Sequence, residues 1–411
     1  MTPEQQVDLF TFIGQAGPAG FNPMELIRKV GHRLNEAGLS VSRIGAGFPI
    51  LHPTVMGFDI TWTRHDDHVE KNPWLRSAGD DPDFDFDQFP FSFMSTRDLN
   101  ELYEDLTGGN QSRFALVEAQ AEAGATGYYA TSDRGKPGEE NSRLSVFYTS
   151  WTTDKPGGYS DEDLEQLRAI VPAIGTTIRA MSSYDVAHDL LRTYLGRNAA
   201  RKVIEGSVAR GSVEVIDASI IFADLSGFTE MADQESKEDL VELLNDYFEV
   251  LVDTVRAYDG EVLKFLGDGL LAIFPMEGGG AITKSAMDAC AAILKMVDGL
   301  RETRQAAGKL TADISLALHR GNLLFGNVGS ADRLDFTVIG PAVNEASRIE
   351  ALCRGQQRRL IISSAFADSV SRDTNRLVSL GKFALRGVRK PQQLYTLDFD
   401  EEMERMAQPS Y

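Results

Sequence analysis

The sequence predicts an α+β chain in two parts, the second with its elements in βαββαβ order, the ferredoxin-like arrangement. Three observations carry this expectation. Apolar strand runs and amphipathic helical stretches alternate in that order after about residue 212. A long helical stretch, YSDEDLEQLRAIVPAIGTTIRAMSSYDVAHDLLRTYLG, separates that region from a mixed α+β region before it. The length of 411 residues also exceeds what one domain usually holds.

In chain order, PMELIRKVGHRLNEAGL reads as the opening helix, with Met24, Leu26, Ile27, Val30, Leu34 and Leu39 as its apolar stripe. Strands are expected at SRIGAGFPI, GFDITWTR and SRLSVFYTSW, and residues 64–112, acidic and rich in Pro, Asp and Gly, read as mainly loop. In the long helix Ser160 is the N-cap, with acids in the first turn and a stripe of Leu164, Leu167, Ile170, Val171 and Ile174. That helix is a candidate dimerising connector, and Pro172 is a candidate kink within it. VEVIDASIIFAD is then a strand and KEDLVELLNDYFEVLVDTVRAY an amphipathic helix. EVLKFLGDGLLAIFP reads as two strands with a tight turn supplied by Asp-Gly, AITKSAMDACAAILKMVDGLRETRQ as a helix, and TADISLALHRGNLLFGNVG as a strand.

Composition narrows the function. A net charge of -20 argues against broad electrostatic binding to nucleic acid or to an anionic membrane. Two cysteines, Cys290 and Cys353, make no disulfide framework, and no apolar run approaches a membrane span, so a cytoplasmic protein is expected.

The strand in IIFADLSGFT ends on Asp224, a charge that either caps a following helix or holds a cation. Asp268, in the turn of strands two and three, is expected beside it, because strands one and three neighbour each other in this order. Two carboxylates so close favour a bridging divalent cation of the hard, oxygen-seeking kind. Leu225, Ser226, Gly227, Phe228 and Thr229 would then offer backbone groups to a phosphate chain at the next helix start. His319 ends an apolar strand and reads as structural rather than as a base.

FADLSGFT, KFLGDGLLAIF and LDFTVIGPAVNEASRIE resemble, in this order, the signature blocks of class III nucleotidyl cyclases, a resemblance covering about residues 213 to 398. It implies that Asp224 and Asp268 bind metal with the Leu225 carbonyl, two Mg²⁺ per site with Mn²⁺ as a substitute. It implies that Lys264 and Asp335 read the purine, and that Asn344 and Arg348 act on the transition state. Arg386 corresponds loosely to a residue that anchors the terminal phosphates. Lysine and aspartate suit the N1 and amino group of adenine. The implied activity is therefore an adenylate cyclase forming cyclic AMP from ATP, working as a head-to-tail homodimer. Alternatives are a guanylyl or mixed-purine cyclase, or a catalytically weak nucleotide-binding scaffold.

SRLSVFYTSW and the start of the long helix resemble pieces of GAF-type sensory domains, with a PAS-like α+β sensor as the alternative. The expected organisation is a GAF-like domain at 1–185 that receives a small-molecule or other signal, a helical linker at 186–212, a cyclase domain at 213–399 and a tail at 400–411. His52, His65 and His68 are candidate haem or metal ligands but read as solvated, and Trp62, Tyr148 and Trp151 as pocket or core. DDPDFDFDQF has Phe86 and Ser92 where a calcium loop needs Gly and Glu.

Overall fold

The computed structural model describes residues 1–75, 89–133, 146–275, 280–370, 377–388 and 390–397, without the side chains of 280–284. Most of DDPDFDFDQF and the whole 400–411 tail lie outside the described residues. The chain divides into two compact units, Met1–Leu190 and Leu191–Tyr411.

The first unit contains α1 (Pro3–Gln15), α2 (Pro23–Glu36), β1 (Val41–Pro49), β2 (Val55–Thr63), β3 (His68–Leu75), α3 (Pro90–Thr96), β4 (Glu101–Asp105), α4 (Ala115–Glu122), β5 (Gly127–Asp133), β6 (Phe147–Thr153) and α5 (Asp161–Leu195). Its six strands form one sheet in the order β3-β2-β1-β6-β5-β4, every pairing antiparallel. One face packs on α1, α2 and α5 through Leu9, Ile27, Leu34, Leu167 and Ile174. Trp62 and Trp151 belong to this core, with their indole N–H groups on Asp67 and Thr149. Asp67 also pairs with Arg28 and His32, and these donors pull its carboxyl down to about 2. Ser160 and Asp163 cap α5 reciprocally, and the helix continues through Pro172.

The described residues of 64–112 are not mainly loop: β3, α3 and β4 lie among them. Helix α1 precedes the helix expected first, and α4 and β5 were not anticipated. β3 is an edge strand that exposes most of its residues, so it lacks the alternation by which a half-buried strand is recognised.

The second unit runs α6 (Arg197–Ile204), β7 (Val213–Ser226), α7 (Phe228–Ala232), α8 (Lys237–Ala257), β8 (Glu261–Leu266), β9 (Gly269–Pro275), α9 (Gly280–Ala306), β10 (Asp313–Gly329), β11 (Leu334–Ile339), α10 (Pro341–Glu350), α11 (Cys353–Gln356), β12 (Leu360–Ser363), α12 (Ser364–Ala367), β13 (Leu377–Phe383) and β14 (Gln392–Leu397). β10-β7-β9-β8 is the ferredoxin-like core, extended by β12, β14 and β13, with β11 paired to β10. Leu243, Tyr247 and Leu251 of α8 and Met287, Cys290 and Ile293 of α9 bury one face. The opposite face is also covered, by α6, β11 and α10 through Ala199, Phe336, Val338 and Ala346. Helices therefore lie on both faces of this sheet.

The linker stretch after α6 is not helical. Its Ser207 and Ser212 carbonyls accept from Asn327 of β10, side chain at 2.6 Å and backbone at 3.0 Å. Glu261, almost fully buried at the start of β8, accepts from both the backbone and the side chain of Asn198 and so caps α6. Among the described residues no helix is long and apolar enough to cross a membrane.

Candidate active site

β7 continues two residues past Asp224, through Ser226, before the chain turns at Gly227. Gly227 adopts φ +83°, a left-handed conformation that favours glycine, and α7 follows at once. The tight turn between β8 and β9 is Gly267-Asp268, with φ +72° at Gly267. Gly269 is already the first residue of β9, so the turn falls one residue earlier than the Asp-Gly reading placed it. Asp224 pairs with Gly269 across β7 and β9, and the Leu225 N–H donates to the Asp268 carbonyl at 3.3 Å. A Cβ on Gly269 would sit 2.9 Å from Asp224 Oδ1, so glycine there leaves the carboxylate its space.

Asp224 alternates with the buried Ala223 and Leu225 and so faces away from α8 and α9. Burial, then the charges of Asp268 and Glu350, push its carboxyl up to about 7. Glu350, the last residue of α10, accepts a 2.5 Å hydrogen bond from Ser315 Oγ. Burial raises its pKa, the Ser315 bond lowers it, and the Asp268 charge raises it further. Ser315 pairs with Asp224 across β10 and β7, and its Oγ also reaches the Asp224 carbonyl at 3.4 Å.

Asp224 and Asp268 are thus half-buried acids with no Lys or Arg partner recorded among the described residues. That donor set suits a divalent cation held by carboxylate and carbonyl oxygen. No group of three or more His, Cys, Asp or Glu side chains among the described residues is arranged to hold a metal ion, His52, His65 and His68 included.

A carboxyl raised from 3.8 to about 7 on folding binds its proton more tightly in the folded chain. Its contribution is fully present below about pH 4 and is lost as pH rises through 7. In chelator, Asp224→Asn should therefore flatten the fall in stability between about pH 4 and 7. The expected effect is roughly 1–2 kcal/mol, discounted for partial exposure. Urea unfolding across that range measures it, and an unchanged slope would contradict the assignment.

Lys264 and Asp335, 71 residues apart, form an ion pair at the surface. A bulge in β8 between Val262 and Lys264 makes this possible. Val262 opposes Ala272, on the α8/α9 side. After the extra residue Leu263, Lys264 opposes Leu271, which packs on the other face. Strict alternation would have aimed Lys264 at the helices; the bulge turns it to the face where β11 lies.

Asn344 and Arg348 line a depression of about 430 Å³ with Ile339, Pro341, Glu345 and Val388. Arg386 is exposed and does not line it, but its neighbour Gly387 does, and a Cβ at Gly387 would approach Arg348 Nη1 to 3.4 Å. Neither Asp224 nor Asp268 lines this depression. Leu225 is buried, Phe228 packs partly on the core, and Ser226, Gly227 and Thr229 are exposed around the turn. His319 is buried, 2.8 Å from Ser363 Oγ and 3.8 Å from Glu345. Burial lowers its pKa and Glu345 opposes this.

Sequence reasoning missed Glu350 and Ser315. A signal was present: a carboxylate at a helix C-terminus opposes the helix dipole, which makes an acid there an unfavourable choice unless something else requires it.

The sequence model of the adenylate and guanylate cyclase catalytic domain matches residues 212–398. An uncharacterized protein of Mycobacterium tuberculosis is 29% identical over 233 residues, 56% of this chain and 40% of its own length. Adenylate cyclase 1 of Rhizobium meliloti is 28% identical over 199 residues, 47% of this chain and 30% of its own. The chain spans less than half the length of these curated relatives. The crystal structure of the adenylyl cyclase CyaB from P. aeruginosa shares 27% identity, covering 46% of this chain and 96% of that one, with a TM-score of 0.42. The matched residues begin at the start of β7 and run past the end of β14, so this part of the chain is a catalytic domain of the class III nucleotidyl cyclase type.

Proposed function

We propose that the protein is an adenylate cyclase converting ATP to 3',5'-cyclic AMP and pyrophosphate. The observation that carries this reading is the Lys264–Asp335 pair, joined across the bulged β8 and β11. A cationic donor and an anionic acceptor side by side match the N1 acceptor and amino donor of adenine. The corresponding edge of guanine reverses that pattern.

The ribose 3'-oxygen attacks the α-phosphorus, its proton passing to solvent, while the bond from that phosphorus to the β-bridging oxygen breaks. Asp224, Asp268 and the Leu225 carbonyl would hold two Mg²⁺, with Mn²⁺ as a substitute, and the bound cations would supply charge neutralisation of triphosphate and alkoxide. Asn344 orients the ribose, and Arg348 offsets the charge that grows on the α-phosphate. Backbone groups of Ser226, Gly227, Phe228 and Thr229 receive the phosphates, and Arg386 the terminal ones. Positioning and electrostatics suffice for such a transfer, so no side-chain base is assigned.

The working unit is a head-to-tail homodimer. Two observations support it: Asn344 and Arg348 line a depression separate from the two aspartates, and apolar side chains stand exposed in a cross-strand row, Val215, Leu324 and Ile339. Each protomer then lends its carboxylates to one site and its helix α10 to the other. Residues 1–185 are a GAF-like sensory part, a reading supported by their separate core.

The test is formation of cyclic nucleotide from ATP and, separately, GTP with Mg²⁺ or Mn²⁺, by the full chain and by residues 191–411. Cyclic AMP should form at least tenfold faster than cyclic GMP, and removing the first unit should change the rate. Equal use of both purines would defeat the adenine assignment, and an unchanged rate would defeat the sensory one.

A further inference from the structure

Glu350 has no role in the reaction just described, yet three features set it apart. It ends the helix that carries Asn344 and Arg348, against the helix dipole. Its carboxylate is tethered by Ser315, whose hydroxyl also touches the backbone of Asp224. It lies within electrostatic reach of both Asp224 and Asp268.

The like charges of Asp224, Asp268 and Glu350 repel one another, and α10 could be seated here without an acid at its end. Ala342, Ala346 and Ile349 already bury its inner face. What Glu350 adds is negative potential behind the two aspartates and a tether between their strand and α10. We propose that Glu350 is a positioning residue for the divalent-cation site: its charge tightens cation binding at Asp224 and Asp268, and its bond to Ser315 holds the Asp224 backbone in register with α10. This rests on the cation reading above. In the dimer, one chain's Asp224 and Arg348 serve different sites, so the tether also joins the two sites mechanically.

The experiment is calorimetric titration of the nucleotide-free full chain with Mn²⁺, together with thermal unfolding in chelator. Glu350→Gln keeps a hydrogen-bonding partner for Ser315 and removes the charge. It should weaken Mn²⁺ binding about five- to tenfold. Its melting midpoint in chelator should be no lower than that of the unaltered chain, because a like charge has been relieved. Ser315→Ala leaves all three charges and removes the tether; it should weaken binding about two- to threefold, and it tests the idea even if Glu350→Gln does not fold.

Wild-type Mn²⁺ affinity in both variants, with Asp268→Asn binding weakly, would overturn the proposal and leave the cation site standing. A lower midpoint at unchanged affinity would make Glu350 a brace for α10 and also overturn it. Asp268→Asn binding Mn²⁺ as tightly as the unaltered chain would remove the cation reading itself, and the proposal with it.

Discussion

Asp268→Asn should lower cyclic AMP formation at least about 1000-fold, without unfolding the chain. Asparagine fits the Gly267-Asp268 turn, and the backbone carbonyl that accepts from Leu225 remains. The change removes one charge that pushes the Asp224 carboxyl up, so stability in chelator should hold or rise. What disappears is half of the anionic pair that would draw a divalent cation to the phosphates. Product chromatography after incubation with ATP and Mg²⁺ or Mn²⁺ reads the first effect, and unfolding in chelator the second. Activity within tenfold of the unaltered chain would contradict the role given to this carboxylate.

Arg348→Ala should cut kcat by about 100-fold or more while leaving KM for ATP within a few-fold, since its charge is needed mainly where negative charge grows in the transition state. The guanidinium lies against Gly387 at the rim of the depression, and the buried residues that seat α10 are Ala342, Ala346 and Ile349, so truncation should leave the fold intact. The stronger form of the test mixes two inactive chains. In a head-to-tail dimer, Asp268→Asn paired with Arg348→Ala puts both lesions in one site and restores the other. A random mixture should therefore recover about a quarter of the original activity. A mixture that stays inactive, although sedimentation shows the chains have associated, would exclude sites shared between protomers.

These expectations draw unequally on sequence and structure. The cyclase blocks, the βαββαβ order and the nearness of Asp224 to Asp268 were legible because each rests on local pattern plus one topological rule: strands one and three are neighbours in this arrangement. The Lys264–Asp335 pairing was implied by the resemblance, but nothing local shows how residues so far apart could meet. The bulge at Leu263 is a one-residue offset in the pairing of β8 with β9, and only that partner strand defines it. In the first unit the buried-face strands β1 and β2 announced themselves by apolar content. β3, HVEKNPWL, did not, because an edge strand is held by its backbone and its side chains face water.

The cyclase catalytic blocks of residues 213–398 and the acids and bases available for charge chemistry can be read from the chain alone, because composition and spacing need no fold. Where those charges stand depends on the folded chain. It turns Lys264 to the outer face, covers that face with α6, β11 and α10, and brings Glu350 to Ser315 behind Asp224. One cause is common to all three: a side chain's electrostatic environment depends on neighbours that are distant in sequence, and it is fixed only when sheet register and helix packing fix them.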